Sequence, residues 1–394
     1  MAKVIVHIDL NAFFVRAEEI RNPKLENKPV AIGHLGRGGV VSTCSYEARK
    51  YGVRSAMPMN KAVELCPKLI IVPPDYRFYV TLSHEFKNYI RNITKLVESA
   101  SIDELYADFT NVLKGKRNVE SYFRNIQMTL FNKTGLKCSI GVGPSKFLAK
   151  MGSDYQKPMG LTIIRRKDIK NILYPIPIED MYGIGKKTAP RLKHIGVKNI
   201  GDLANALNNN DEKVLNILGK FSSDLKDWVN GYGSNEIITD WGDPKSIGNS
   251  TTLVEDTSQI ETIQSTFEIL AEEISMRAKK DGLVGNTIQI MAKDTKYQAH
   301  NKSITFSTPT NNAKDIYRIA LKLYEKNFLD LLVRAVGITL QNLTSTKDMS
   351  IQMTFFDYEK HEEENKTKLL INEINRKIKG ASLKRASEIE DGNK

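Results

Sequence analysis

Residues 101–109 read SIDELYADF and follow an apolar-rich run over 95–100. At the centre stand two adjacent carboxylates, Asp103 and Glu104. Neighbouring side chains of a regular strand point to opposite faces, so this pair can address one ligand only where the strand ends or turns. A hairpin corner is therefore expected. Alone, an Asp-Glu dipeptide is more often a solvated turn, but a third acid changes the balance. VIVHIDLNAFF, residues 4–14, opens on the β-rich apolar run Val4, Ile5, Val6 and Ile8 and reaches Asp9 at its end. Charge at the end of a buried strand is costly unless a cation or partner compensates it. Two carboxylates at a corner, joined by a third, would make an oxygen-rich site for a hard cation such as Mg²⁺.

Together these stretches resemble the Y-family, the translesion DNA polymerases, and in particular its bacterial DNA polymerase IV-like members. The resemblance implies that Asp9, Asp103 and Glu104 are the catalytic carboxylates and hold two Mg²⁺ ions, with Leu10 adding its backbone carbonyl. One ion would activate the primer 3′-hydroxyl and the other would stabilise the departing pyrophosphate. It also implies an α+β multidomain right hand, with a mixed-sheet palm, small fingers, a helical thumb containing a helix-hairpin-helix, and an α/β little finger.

Further blocks extend the likeness in order along the chain. Residues 42–58, STCSYEARKYGVRSAMP, hold Tyr46 and Arg49 three positions apart, a spacing that shares one helix face. A guanidinium fork suits triphosphate oxygens. By similarity, Thr43, Tyr46 and Arg49 contact the incoming nucleotide, and Ser42 lies near the nascent base pair. Residues 141–164, GVGPSKFLAKMGSDYQKPMGLTII, supply Lys157 as a further triphosphate contact. Phe13 and Phe14 read most simply as core residues, but the resemblance makes Phe14 a steric gate against the ribose 2′-hydroxyl. Many relatives carry Asp two residues after the first catalytic acid. Here Asn11 stands at that position, which removes a charge beside the metals.

The coarse reading expects a helix from Phe13 to the Asn22-Pro23 stop, short strands at 29–32 and 40–42 around a Gly-rich turn, and a helix over 77–95 whose apolar stripe faces the core. A helical stretch over 119–132 and a strand over 136–141 follow. Residues 174–205 carry a Gly-Ile-Gly turn between helix-like segments, similar to a helix-hairpin-helix. Backbone N–H groups in such a turn hold DNA phosphates without reading sequence, which makes Gly183, Gly185, Lys186 and Lys187 the DNA-contact candidates. A P-loop is excluded, because its pattern needs Gly where Asp180 stands and Ser or Thr where Lys187 stands. After the turn-rich stretch 231–244, helices over 260–280 and 313–328 alternate with strand-like runs, among them Lys245, Lys293, Lys296 and Arg334 as candidate phosphate contacts.

The expected domains are a palm (1–10 and 77–166), fingers (11–76), a thumb (167–232), a linker (233–244), a little finger (245–345) and a tail (346–394). In the tail, QMTFF resembles the pentapeptide by which bacterial polymerases dock on the sliding clamp, through Gln352, Met353, Phe355 and Phe356. Phe355 stands where leucine is common.

With 394 residues and a formal net charge of +12, the chain has room for about two to four domains and favours a polyanionic partner over an anionic membrane surface. Cys44, Cys66 and Cys138 are odd in number and widely spaced, with no Cys-x-x-Cys pair. That argues against structural zinc and disulfides and for a reducing cytoplasm. No apolar run approaches the roughly 18 residues of a membrane span, and no signal-peptide core opens the chain.

The reading is thus a cytoplasmic, monomeric, template-directed DNA polymerase of low fidelity without proofreading, binding primer-template DNA and a dNTP and serving damage tolerance. A non-catalytic DNA-binding scaffold on the same fold would be expected to have lost the carboxylates. A palm-like cyclase leaves the helix-hairpin-helix, the fourth domain and the tail unexplained.

Overall fold

A computed structural model describes residues 3–347. The chain divides into two compact units, the first ending at Gly242 and the second beginning at Asp243. In the first unit the order is β1 (Ile5–Leu10), α1 (Phe13–Arg21), β2 (Val30–Ile32), β3 (Thr43–Cys44), α2 (Tyr46–Lys50), α3 (Met59–Leu65), β4 (Ile70–Val72), α4 (Tyr76–Arg91), β5 (Val97–Ser99) and β6 (Glu104–Asp108). Then come α5 (Val119–Thr134), β7 (Cys138–Gly143), α6 (Lys146–Tyr155), β8 (Leu161–Ile163), α7 (Ile169–Ile172), α8 (Thr188–His194), α9 (Ile200–Asn208), α10 (Glu212–Leu218) and α11 (Ser222–Val229).

β1 is buried along its whole length, because it lies at the middle of a five-stranded sheet ordered β5-β6-β1-β7-β8. It runs antiparallel to β6 and β7, while β8 returns parallel to β7. Strand alternation sorts its side chains. Val6, Ile8 and Leu10 enter one core with Leu82, Phe86 and Ile90 of α4 and Phe123, Ile126 and Leu130 of α5. The expected stripe on α4 is thus core, as read. Ile5, His7 and Asp9 alternate onto the opposite face, where Ile5 packs with Tyr106 and Ala149 of α6. Asp9 faces Glu104 directly across the β1–β6 ladder.

α6 lies unusually close to β7. A Cβ at Gly141 would sit 1.9 Å from the Ala149 carbonyl oxygen and 2.3 Å from the Ser153 nitrogen, and one at Gly152 would sit 3.0 Å from the Gly141 Cα. The same helix turns Phe147, Leu148 and Met151 into the core of the helical cluster that contains α7–α11.

A smaller sheet, β3-β2-β4, pairs β2 antiparallel to β3 and parallel to β4. The strand expected at 40–42 is displaced to Thr43–Cys44. Val40 makes only an isolated bridge to Pro58 and Val41 N–H donates to the Met57 carbonyl, so this stretch pairs with the later turn; contact with β2 begins at Ser42 N–H, which donates to the Ile32 carbonyl, and the paired residues are Thr43 and Cys44. The helix-hairpin-helix also differs in detail. Before its glycine turn the chain forms α7 and a single 3₁₀ turn at Ile178–Asp180, since Pro175 and Pro177 interrupt any longer helix.

The second unit holds β9 (Ser246–Thr257), α12 (Ile260–Lys280), β10 (Leu283–Asp294), β11 (Ala299–Thr310), α13 (Ala313–Phe328) and β12 (Val333–Ser345). Its antiparallel sheet runs β11-β10-β12-β9. α12 and α13 bury Phe267, Ile274, Ile316 and Tyr324 against Ile288, Ile290, Ile338 and Leu340. Among the described residues the three cysteines are free and buried, and no helix is long and apolar enough to cross a membrane.

Gly141→Ala is expected to lower unfolding free energy by about 3 kcal/mol or more, because the added methyl meets helix backbone rather than a side chain that can move. Urea unfolding of the purified chain checks this.

Candidate active site

At the C-terminal end of β1, Asp9 is 6% exposed and stands beside Glu104. Two ammonium groups close on the pair. Lys150, on α6, donates to Glu104 Oε1 at 2.8 Å and to Asp9 Oδ2 at 3.4 Å and lies 3.2 Å from Asp154 Oδ2. Lys157 reaches Asp9 Oδ2 and Asp154 Oδ1, each at 2.8 Å. His7, two residues before Asp9 on the same face, contacts Ser153 Oγ at 2.7 Å through Nδ1 and lies 3.6 Å from Glu104 Oε2 through Nε2.

The electrostatics follow from burial and crowding. Burial, with Glu104 alongside, pushes the Asp9 carboxyl up to about 7 against the opposing pull of the two lysines. Burial also pushes Glu104 upward, but its contacts with His7, Asp9 and Lys150 outweigh it and the net shift is downward. For both lysines burial favours the neutral amine, yet the surrounding carboxylates win and hold them charged. Burial pushes His7 down, toward the neutral imidazole.

Asp103 is placed differently. Its backbone carbonyl accepts from Leu10 N–H at 3.0 Å, while its carboxylate accepts from the Ser101 hydroxyl at 2.6 Å. The same hydroxyl oxygen accepts from the backbone N–H groups of Asp103 and Glu104, and so shapes the corner between β5 and β6. Among the described residues no three His, Cys, Asp or Glu groups converge closely enough to hold a metal ion. Asp9 and Glu104 converge; Asp103 lines a cavity with Asp9, its carboxylate turned to Ser101.

That cavity has a volume of about 310 Å³, and Asp9, Leu10, Asp103, Phe14, Ser42, Thr43, Tyr46, Arg49 and Lys157 all line it. Ser45 caps α2 by accepting from Ala48 N–H, which fixes the turn that displays Tyr46 and Arg49. The Arg49 guanidinium lies over the Tyr46 ring at 5.1 Å. Phe14 stacks on Tyr79 with ring centres 4.4 Å apart, and the buried Tyr79 hydroxyl donates to Glu18 at 2.8 Å. Away from the cavity, Gly183, Gly185, Lys186 and Lys187 stand together on an exposed turn. Gly183 has φ +93° there, a backbone conformation that favours glycine. Gln352, Met353, Phe355 and Phe356 lie outside the described residues.

Sequence reasoning missed Lys150, Asp154, His7 and Tyr79. A signal existed for the first two, since 150 and 154 stand four apart, the spacing of one helix face.

Paired carboxylates that attract cations, one of them buried at a cavity lined by Arg, Lys and Tyr, suit transfer of a nucleotidyl group. The comparisons sharpen that class. The impB/mucB/samB family matches residues 8–154, its C-terminal domain matches 244–354 and its helix-hairpin-helix motif matches 166–197. DNA polymerase IV of Bacillus velezensis is 37% identical, covering 97% of this chain and 94% of the relative. DNA polymerase IV 1 of Bacillus subtilis is 35% identical, covering 98% and 94%. Among solved structures, a Y-family DNA polymerase chimera aligns with TM-score 0.76 and 27% identity over 87% of this chain and 99% of that one. The chain belongs to the Y-family of translesion DNA polymerases, within its DNA polymerase IV group, and is a DNA-directed DNA polymerase.

Lys150→Met leaves buried Asp9 and half-buried Glu104 short of one cation, so unfolding free energy measured in EDTA is expected to fall by about 2 kcal/mol. An unchanged denaturation midpoint would mean that Lys150 does not balance the pair.

Proposed function

We propose that this polymerase adds deoxynucleotides to a primer 3′-hydroxyl by two-metal-ion transfer at Asp9, Glu104 and Asp103, copying damaged templates at low fidelity without proofreading. The observation that carries the reading is the pairing of buried Asp9 with half-buried Glu104, already crowded by two ammonium groups, where Asp9 lines the cavity. The donors are hard oxygens, which suits Mg²⁺. Asp103 completes the set by turning its carboxylate from Ser101 into the cavity it already lines, and the Leu10 carbonyl is a further donor. When bound, the ions favour the primer alkoxide and neutralise charge on the leaving pyrophosphate.

The chain's own side chains do the rest. Arg49, Tyr46, Thr43 and Lys157 hold the triphosphate in line for attack, so positioning and fixed charge supply most of the acceleration. Phe14, backed by Tyr79, excludes the ribose 2′-hydroxyl. In domain terms we assign 1–10 and 77–166 to the palm, 11–76 to the fingers, 167–232 to the thumb and 245–345 to the little finger. Gly183, Gly185, Lys186 and Lys187 hold a DNA phosphate. The tail docks on a sliding clamp through Gln352, Met353, Phe355 and Phe356. The enzyme works as a cytoplasmic monomer in damage tolerance.

Primer extension with Mg²⁺ under single-turnover conditions tests the site. Glu104→Gln is expected to remove most synthesis, by about a hundredfold or more, with primer-template affinity unchanged. No synthesis by wild type despite tight DNA binding would favour a scaffold role instead. Phe14→Ala is expected to admit ribonucleotides, read as a fall in the ratio of dNTP to rNTP incorporation. Deleting residues 352–356 is expected to leave basal synthesis intact and abolish stimulation by added clamp.

A further inference from the structure

Between α6 and β8 the chain crosses back to the sheet through a short strap, residues 156–160, which carries Lys157. The strap is held at four backbone atoms. Met159 N–H donates to Asn11 Oδ1 at 2.8 Å and Gly160 N–H donates to Ser139 Oγ at 3.3 Å. The Met159 carbonyl accepts from Arg124 Nη1 and the Gly160 carbonyl from Gln127 Nε2, each at 2.9 Å. Asn11 also donates from Nδ2 to Ser139 Oγ at 2.9 Å. Asn11, Ser139 and Gln127 are all buried.

This holding maintains a conformation the strap would not choose alone. Met159 has φ +57°, a region that L side chains occupy only under constraint. At Gly160 a Cβ would lie 1.7 Å from the Gln156 carbonyl oxygen. Asn11 directly follows the strand end that carries Asp9. Its amide therefore ties the carboxylate side of the site to the backbone two residues beyond Lys157.

We propose that Asn11 is a positioning residue for the incoming nucleotide, acting through the strap that presents Lys157. The proposal rests on the reading of Lys157 as a triphosphate contact. The acceptor oxygen is the essential part, because it alone satisfies the half-buried Met159 N–H. An apolar side chain at 11 leaves that donor unpaired, so the strap relaxes and a smaller fraction of molecules holds Lys157 at the cavity.

The test is equilibrium dNTP binding by the full chain on a dideoxy-terminated primer-template with Mg²⁺, where no bond can form. Asn11→Leu is expected to weaken dNTP binding about tenfold, with primer-template affinity unchanged. Asn11→Asp keeps the acceptor and loses less. Arg124→Ala removes an exposed side chain, so the fold is retained, and it is expected to weaken dNTP binding in the same direction. In a Lys157→Ala background, neither Asn11→Leu nor Arg124→Ala weakens binding further. If both bind dNTP as wild type does, or if their losses persist in full without Lys157, the positioning role is overturned. Should Asn11→Leu fail to fold, Arg124→Ala and its double variant decide alone. If Lys157→Ala itself binds dNTP normally, the triphosphate reading of Lys157 fails first and the positioning role with it.

Discussion

The site depends on two carboxylates set side by side, one buried and one half-buried. Asp9 and Glu104 face each other across a ladder because β1 is central and alternation sends both to the α6 side. Such a pair is unstable alone, since two like charges in a poorly solvated place repel and favour protonation. α6 answers this with Lys150, and the strap beyond it with Lys157. The arrangement keeps the acids near neutralisation without filling the cavity, which leaves their oxygens available to exchange one cation for another.

Geometry explains why one helix can serve the sheet and the helical cluster together. Gly141 and Gly152 let backbone meet backbone, so α6 sits deep enough for Lys150 to reach both acids, and its other face still contributes Phe147, Leu148 and Met151 to a second core. The sheet edge that carries Asp9 and Glu104 is thereby coupled to the packing of α7–α11. A shift of α6 would register in both cores.

Much of this was legible in the chain, and the failures have identifiable causes. Strand ends with acids, the hairpin corner and the limits of α12 and α13 follow from alternation, turn residues and 3.6-residue periodicity. β3 was misplaced because a Gly-rich segment conceals where pairing resumes; hydrogen bonds from 40–41 to a later turn decide it. Lys150 was missed because a lysine within a helix reads as solvated unless the strand beneath it is known. The orientation of Asp103 rests on the Ser101 hydroxyl, a local bond that competes with the site for the same carboxylate. Asn11 read only as a lost charge. Its hydrogen bond to Met159 spans 148 residues of sequence, and no local pattern announces such a pairing.

The gate role proposed for Phe14 has a further consequence for the energetics of selection. Its ring lies against Tyr79, which is fully buried and tied through its hydroxyl to Glu18, and Glu18 is in turn gripped by Arg21. A wall assembled in advance has little rotamer freedom left to surrender when a nucleotide enters, so fit is not offset by an ordering cost. On the proposed role, discrimination at such a wall is set by volume rather than by adaptation, and a sugar one oxygen too large would meet a surface with nowhere to retreat.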